Sequence, residues 1–329
     1  AGGQGGGAAG GQGGGAAGGQ GGGSGGGSAG TGRILPLNAG VVYCCNTLIE
    51  NNGKLYWNSG AQAYRIGVDG TGYEKIVPPY YPAGVAVAGG ETYIISSGQN
   101  SSALMRWETD GGITTLLTGQ PSTTFITSVG TNLAYAEVYN DGNVVLLDPA
   151  NVSARVNIAQ HQYYVDAINS DGVSPVWATG TSIATEPKLV HYSTDGGANV
   201  TLLLTSDLPP YNHINQLYST SSEVYLSSGL AAPPYDGGVY VVNKSSPSVL
   251  APVMNGEWPV GFAIDGSTVY WLSRDKHVYK RNFVTQGATV DLGRCGSGQV
   301  SGDTVNNLVL SGPYVICGAS TDGPWKLLK

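Results

Sequence analysis

From residue 33 to the C-terminus, apolar residues fall in short runs broken by Gly, Asn and Asp, and nowhere does a helical period of about 3.6 residues persist. That pattern predicts an all-β chain. One unit recurs: an apolar run centred on an aromatic residue, a turn, then a second run that closes on a Gly-rich turn. KLYWNSGAQAYRIGVDG at 54–70 and TVYWLSRDKHVYKRNFV at 268–284 show it most plainly. The centre of the first run falls at Tyr56, Tyr93, Tyr135, Trp177, Tyr225, Tyr270 and Val315, in steps of 37, 42, 42, 48, 45 and 45 residues. Steps of this size match one four-stranded propeller blade, so the register predicts a seven-bladed β-propeller over 33–329.

The second run recurs in the same register, from AYRIGVDG (63–70) to WKLLK (325–329), and its last copy reaches the C-terminus. The seventh blade therefore lacks an outermost strand, and a ring closed with three strands would leave an unpaired edge. The segment RILPL, with Arg33, Ile34, Leu35 and Leu37, is expected to fill that position and tie the two chain ends together. Pro36 is compatible with an edge strand, where an absent N–H costs no ladder bond.

The Leu55-Tyr56-Trp57 and Val269-Tyr270-Trp271 strands, each followed by a Tyr-Arg or Tyr-Lys strand and a turn, resemble those of the YWTD and NHL-type β-propellers. No copy reads YWTD in full. The resemblance covers 33–329 and implies architecture; propellers of these kinds host binding modules, scaffolds and enzymes alike.

Charge is sparse. Only 11% of the 329 residues are Asp, Glu, Lys or Arg, against a usual share of about 25%. A net charge of −7 with no basic run argues against nucleic acid as a partner. No apolar stretch is long enough to span a bilayer. No Met-led, basic-then-apolar leader precedes Ala1, so the chain reads as a mature, already processed one or as one numbered from its first visible residue; it is the sparse charge and the cysteine usage that point to an extracellular or cell-surface location. Histidines at 161, 191, 213 and 277 show no metal-ligand spacing, and neither a phosphate loop nor a Gly-x-Ser-x-Gly elbow is present. The expectation is a non-enzyme that holds no metal and no cofactor.

Cys44, Cys45, Cys295 and Cys317 form an even set without CxxC spacing, which favours disulfides. A bridge between the pair at 44–45 and the pair near the last blade would staple the ring; a vicinal Cys44–Cys45 bridge and a Cys295–Cys317 bridge are the alternatives. Asn100, Asn151, Asn199 and Asn243 each begin an Asn-x-Ser/Thr acceptor for glycosylation. Pro-Pro-Tyr occurs at 78–80, 209–211 and 233–235, in loops that share one propeller face. Tyr80, Tyr81, His161, Tyr163, Tyr211, Tyr235 and Trp258 would give that face the aromatic, weakly charged surface that suits a glycan or a protein contact. The competing account has these rings plug the channel mouth.

Residues 1–32 are a separate low-complexity segment, with 20 glycines among them. AGGQGGGA starts at Ala1 and Ala9, with a degraded copy at Ala17. The even period of 8 would return Gln4, Gln12 and Gln20 to one side of an extended strand. Such a glycine-rich segment cannot order itself, because it has little apolar surface to offset its backbone entropy. The expected role is that of an assembly element packed against neighbouring copies, in a structural subunit of an extracellular filament or surface layer; the alternative is a stalk for a monomeric, secreted or surface-tethered ligand-binding propeller.

Overall fold

The computed structural model describes residues 31–35, 39, 47–97, 102–137, 142–162, 165–179, 189–194, 199–204, 213–229, 237–257, 259–296, 308–318 and 323–329. Every regular element among them is a strand. The strands form seven antiparallel four-stranded sheets, and the chain is a seven-bladed β-propeller. The innermost strands, in blade order, are Thr47–Asn51, Pro82–Ala88, Thr123–Val129, Val165–Ser170, His213–Ser219, Pro259–Asp265 and Leu308–Ser311. The second strands hold all seven centres of the sequence repeat, from Tyr56 in Lys54–Ser59 to Val315 in Tyr314–Gly318.

The repeat is legible because a second strand is covered on both faces. A blade packs against one neighbour on each side, so Leu55, Tyr56, Trp57 and Asn58 are consecutively buried and do not alternate. Seven apolar clusters fill the seven gaps between blades; that between blades 1 and 2 joins Tyr56, Ala63, Val85, Ile94, Met105 and Trp107. Cross-strand aromatic pairs stiffen several blades. Trp57 stacks on Tyr64 at 5.0 Å in blade 1, and Trp177 on His191 at 5.4 Å in blade 4. Outermost strands such as Ile113–Gln120 and Val290–Arg294 are largely exposed and carry no such signature.

The ring closes as the repeat requires, with a shorter ladder than RILPL suggests. Gly32 pairs with Lys326 and Arg33 with Trp325, and Ile34 N–H donates to the Pro324 carbonyl at 3.1 Å. Ile34 and Leu35 then turn inward and join Leu48, Trp57, Tyr64 and Ile316 in the core between blades 7 and 1. Gly323 has φ +76, and a Cβ there would collide with the Leu35 side chain, so glycine is required at that position. Leu37 lies outside the described residues. Across the same seam, Ser311 Oγ donates to Glu50 Oε1 at 3.2 Å and Lys326 Nζ to the Val68 carbonyl at 3.4 Å.

Cysteine pairing corrects the expected staple. Cys295, just past the outermost strand of blade 6, is bonded to Cys317 in the second strand of blade 7, with Cα atoms 6.1 Å apart. The bond joins adjacent blades and does not reach back to Cys44 or Cys45, which lie outside the described residues. Its 22-residue separation limits the chain-entropy gain to about 3 kcal/mol, against the roughly 4–5 kcal/mol of a ring-spanning bridge.

Candidate functional site

Interblade connections and the loops between second and third strands share one face of the ring; the Pro-Pro-Tyr segment at 78–80 lies in the connection from blade 1 to blade 2, and those at 209–211 and 233–235 lie outside the described residues. Of the aromatic residues expected on that face, the structure describes three. Tyr81 is 56% exposed. Its hydroxyl lies near Gly60 in the neighbouring hairpin, and its carbonyl accepts from Ser97 N–H at 2.9 Å, so the exposed ring stands on a fixed backbone. Tyr80 is half-buried and packs into the core between blades 1 and 2, which assigns it to structure. His161 is exposed, with φ +57. Tyr163, Tyr211, Tyr235 and Trp258 lie outside the described residues.

A channel of about 730 Å³ runs down the axis, walled by the seven innermost strands. Glu50 and Asp166 are the charged side chains among its described lining residues. Five innermost strands carry an irregularity at one point near their first residue. The ladder skips Ala83, Thr124, Asp166, Asn215 and Val260 in blades 2 to 6. A bulge of this kind adds one residue and re-aims its side chain. Of the five, Asp166 and Asn215 line the channel, whereas Ala83 and Val260 pack against the cores between blades. Sequence reasoning missed these residues; the trace left by Thr124, Asp166 and Asn215 is a polar residue in the strand, as in Val165-Asp166-Ala167, whereas Ala83 and Val260 leave none.

Next to Asn215, Gln216 is fully engaged: its Nε2 donates to the Phe262 carbonyl at 3.0 Å and its Oε1 accepts from Phe262 N–H at 2.9 Å. This bridge from blade 5 to blade 6 fixes the backbone beside the bulge. Asn169 Oδ1 likewise accepts from Ser219 N–H at 3.2 Å between blades 4 and 5.

The comparisons locate the fold and stop there. No family model matches the chain, and no curated protein does. Solved structures do match: a chain of the nidogen/laminin complex is 14% identical with a TM-score of 0.52, covering 72% of this chain and 92% of that one. YCF48 bound to D1 peptide matches at 12% identity and a TM-score of 0.58, over 86% of this chain and 91% of that one. Apo AztD from Citrobacter koseri matches at 10% and 0.54, over 82% and 79%. At these identities the likeness is one of fold.

Among the described residues no three His, Cys, Asp or Glu side chains are placed to share a metal ion, and no helix is long and apolar enough to cross a membrane. His191 is packed: it stacks on Trp177, and burial pushes its imidazole down to about 4. An unfolded histidine titrates near 6.5. Below that pH the unfolded chain takes a proton that the fold refuses, so stability falls from about pH 6.5 down to 4, by roughly 3 kcal/mol in all. Above pH 6.5 the residue is neutral in both states and contributes no slope. His191→Phe keeps a stacked ring and is expected to remove this part of the acid sensitivity, seen as a smaller difference in urea midpoint between pH 7 and 4.5. Parallel pH profiles for the two proteins would contradict the assignment.

Of the glycosylation acceptors, Asn151 and Asn243 are exposed at turns, each with its Oδ1 accepting from the hydroxyl two residues on, at 2.7 Å. Asn199 begins the outermost strand of blade 4, and Asn100 lies outside the described residues.

Proposed function

We propose that the protein is an extracellular binding propeller, held out on residues 1–32 as a stalk, which takes a glycan or protein ligand on its aromatic loop face. The observation that carries this reading is Tyr81, exposed on a pinned backbone on a ring whose axial channel has a mixed apolar and polar lining. An immobile aromatic ring and a concave site of mixed lining are features that small-ligand and protein-ligand sites use. Sparse charge and a Cys295–Cys317 bond accord with an oxidising, extracellular setting. Chains of similar fold occur in a nidogen/laminin complex and in YCF48 bound to D1 peptide, which adds precedent for protein partners.

A second reading, a structural subunit of a filament or surface layer, is favoured by where the tail joins the ring. Gly32 and Arg33 form the outer edge of blade 7, so the glycine-rich segment meets the propeller at its rim, within reach of a neighbouring copy. Deleting residues 1–30 separates the two. As a stalked binding module, both full and truncated proteins stay monomeric by negative-stain microscopy and sedimentation. If the full chain forms polymers and the truncated chain does not, the subunit reading replaces the first.

A further inference from the structure

Ligand binding on the loop face leaves the glycosylation acceptors without a role, yet the fold brings three of them to one structural position. Asn151 lies between the third and fourth strands of blade 3, Asn199 opens the fourth strand of blade 4, and Asn243 closes the third strand of blade 5. All three stand at the same hairpin, in consecutive blades, on the face opposite the interblade connections. Asn151 and Asn243 are exposed, as are Ser153 and Ser245, whose hydroxyls donate to the asparagine Oδ1 at 2.7 Å. Blade 6 supplies the contrast. Asn282 makes the turn that Asn243 makes, its Oδ1 accepting from the N–H two residues on, but position 284 is valine and no acceptor results. Blades 1 and 2 place Asp69-Gly70 and Asp110-Gly111 at this hairpin. Turn chemistry alone accounts for asparagine or aspartate in any of these blades. It does not call for the hydroxyl two residues on, which recurs in three adjoining blades.

We propose that Asn151, Asn199 and Asn243 carry N-linked glycans, which cover the hairpin face over blades 3 to 5. The inference rests on the extracellular binding reading, because that is the setting in which the donor, a lipid-diphosphate oligosaccharide, is met. Transfer forms a bond from the asparagine Nδ2 to the anomeric carbon of the sugar and breaks the bond from that carbon to the diphosphate. The diphosphate leaves with the electron pair, and a base of the transferase takes one amide proton. Glycans are bulky and solvated, so the arc that bears them is closed to protein contacts. The loop face stays open. In a ring of seven, blade 4 lies three blades from blade 7 one way round and four the other, as far as closure allows. The glycans therefore also keep clear of Gly32 and Arg33, where the glycine-rich segment joins the rim of blade 7.

The test secretes the full chain from insect or mammalian cells and maps its glycopeptides, with occupancy expected at all three positions. Asn151→Gln and Ser153→Ala should each lose one glycan mass while Ser153→Thr keeps it, and Asn243→Gln and Ser245→Ala should do the same in blade 5. Because these side chains are exposed, melting curves should not move. Val284→Thr, at a residue 70% exposed, completes an acceptor at Asn282 and should add one glycan. An unmodified Asn151 or Asn243 overturns the proposal: with Val284→Thr occupied, the host reaches this hairpin and passes over the native acceptors, and with Val284→Thr bare, the hairpin itself is closed to transfer. Enzymatic removal of the glycans should leave sedimentation unchanged. Association that appears only after removal would place a contact surface under the arc and overturn its assignment as a closed face. Occupancy is read without any ligand, so its failure is distinct from failure of the loop-face reading, which turns on binding.

Discussion

Replacing Ile34 and Leu35 together with alanine is expected to unfold the propeller under conditions where the parent chain is stable. Both side chains are 5% exposed and sit in the core between blades 7 and 1 with Trp57, Tyr64 and Ile316. A single buried Leu or Ile truncated to alanine costs about 2–5 kcal/mol. Adjacent residues do not add cleanly, yet even one and a half times that cost approaches the roughly 5–15 kcal/mol that holds an ordinary domain together. The seam multiplies the effect, because loss of this anchor also frees Gly32 and Arg33 from Trp325 and Lys326 and leaves the edge of blade 7 unpaired. Denaturant midpoints should drop steeply, and hydrogen exchange should accelerate first in Pro324–Leu328. Leu328→Ala is the control, since that side chain is 51% exposed and outside the core; its effect should stay within about 0.5 kcal/mol. A double variant as stable as the control would mean that the ring does not depend on its N-terminal clasp.

The closure and the blade count were both written plainly in the chain, for one physical reason. A second strand with a blade on either side must be apolar on both faces, so it leaves a dense run centred on an aromatic residue that survives degeneration of the rest of the repeat. Strands on the rim face water, and Ile113–Gln120 gives no comparable signal. The missing last strand could be inferred because a ring has to close. The site was less legible. A bulge adds one residue without altering composition, so Asp166 and Asn215 looked like stray polar positions in runs that otherwise fit. Tyr80 and Tyr81 are adjacent aromatics in one loop, and only the fold shows that the first packs against the core between blades 1 and 2 while the second stays out. Cysteine pairing was beyond reach for a related reason: residues 295 and 317 lie in neighbouring blades, and separation along the chain does not reveal which strands of two blades face one another.

Lys244→Met should be the most damaging single polar substitution at the contact between blades 4 and 5. Its ammonium donates to Asp171 Oδ2 at 2.7 Å and to the Thr220 carbonyl at 2.6 Å, and the two side chains of the ion pair are only 10% and 8% exposed. Burial works to raise the Asp171 carboxyl, but the bond from Lys244 and the amides of Ser174 and Val173 outweigh it and hold the group below its ordinary value. Removing the lysine therefore strands a buried carboxylate, at a cost of about 3–5 kcal/mol. Two further measurements separate this cause from lost packing. Adding Asp171→Asn to Lys244→Met removes the charge and should recover most of the loss, leaving the Thr220 carbonyl with only its 3.4 Å bond from Ser219 Oγ, a residual cost of about 1 kcal/mol. The pH dependence carries the other sign check: a depressed carboxyl stabilises the parent above its unfolded value near 3.9 and loses that contribution as pH falls through the folded value. The deficit of Lys244→Met should accordingly be widest near pH 7 and narrow as the stranded Asp171 takes up a proton in acid. A deficit that is constant with pH, and that Asp171→Asn does not relieve, would place the role of Lys244 in the contact of its Nζ with the Tyr192 ring and not in its ion pair with Asp171.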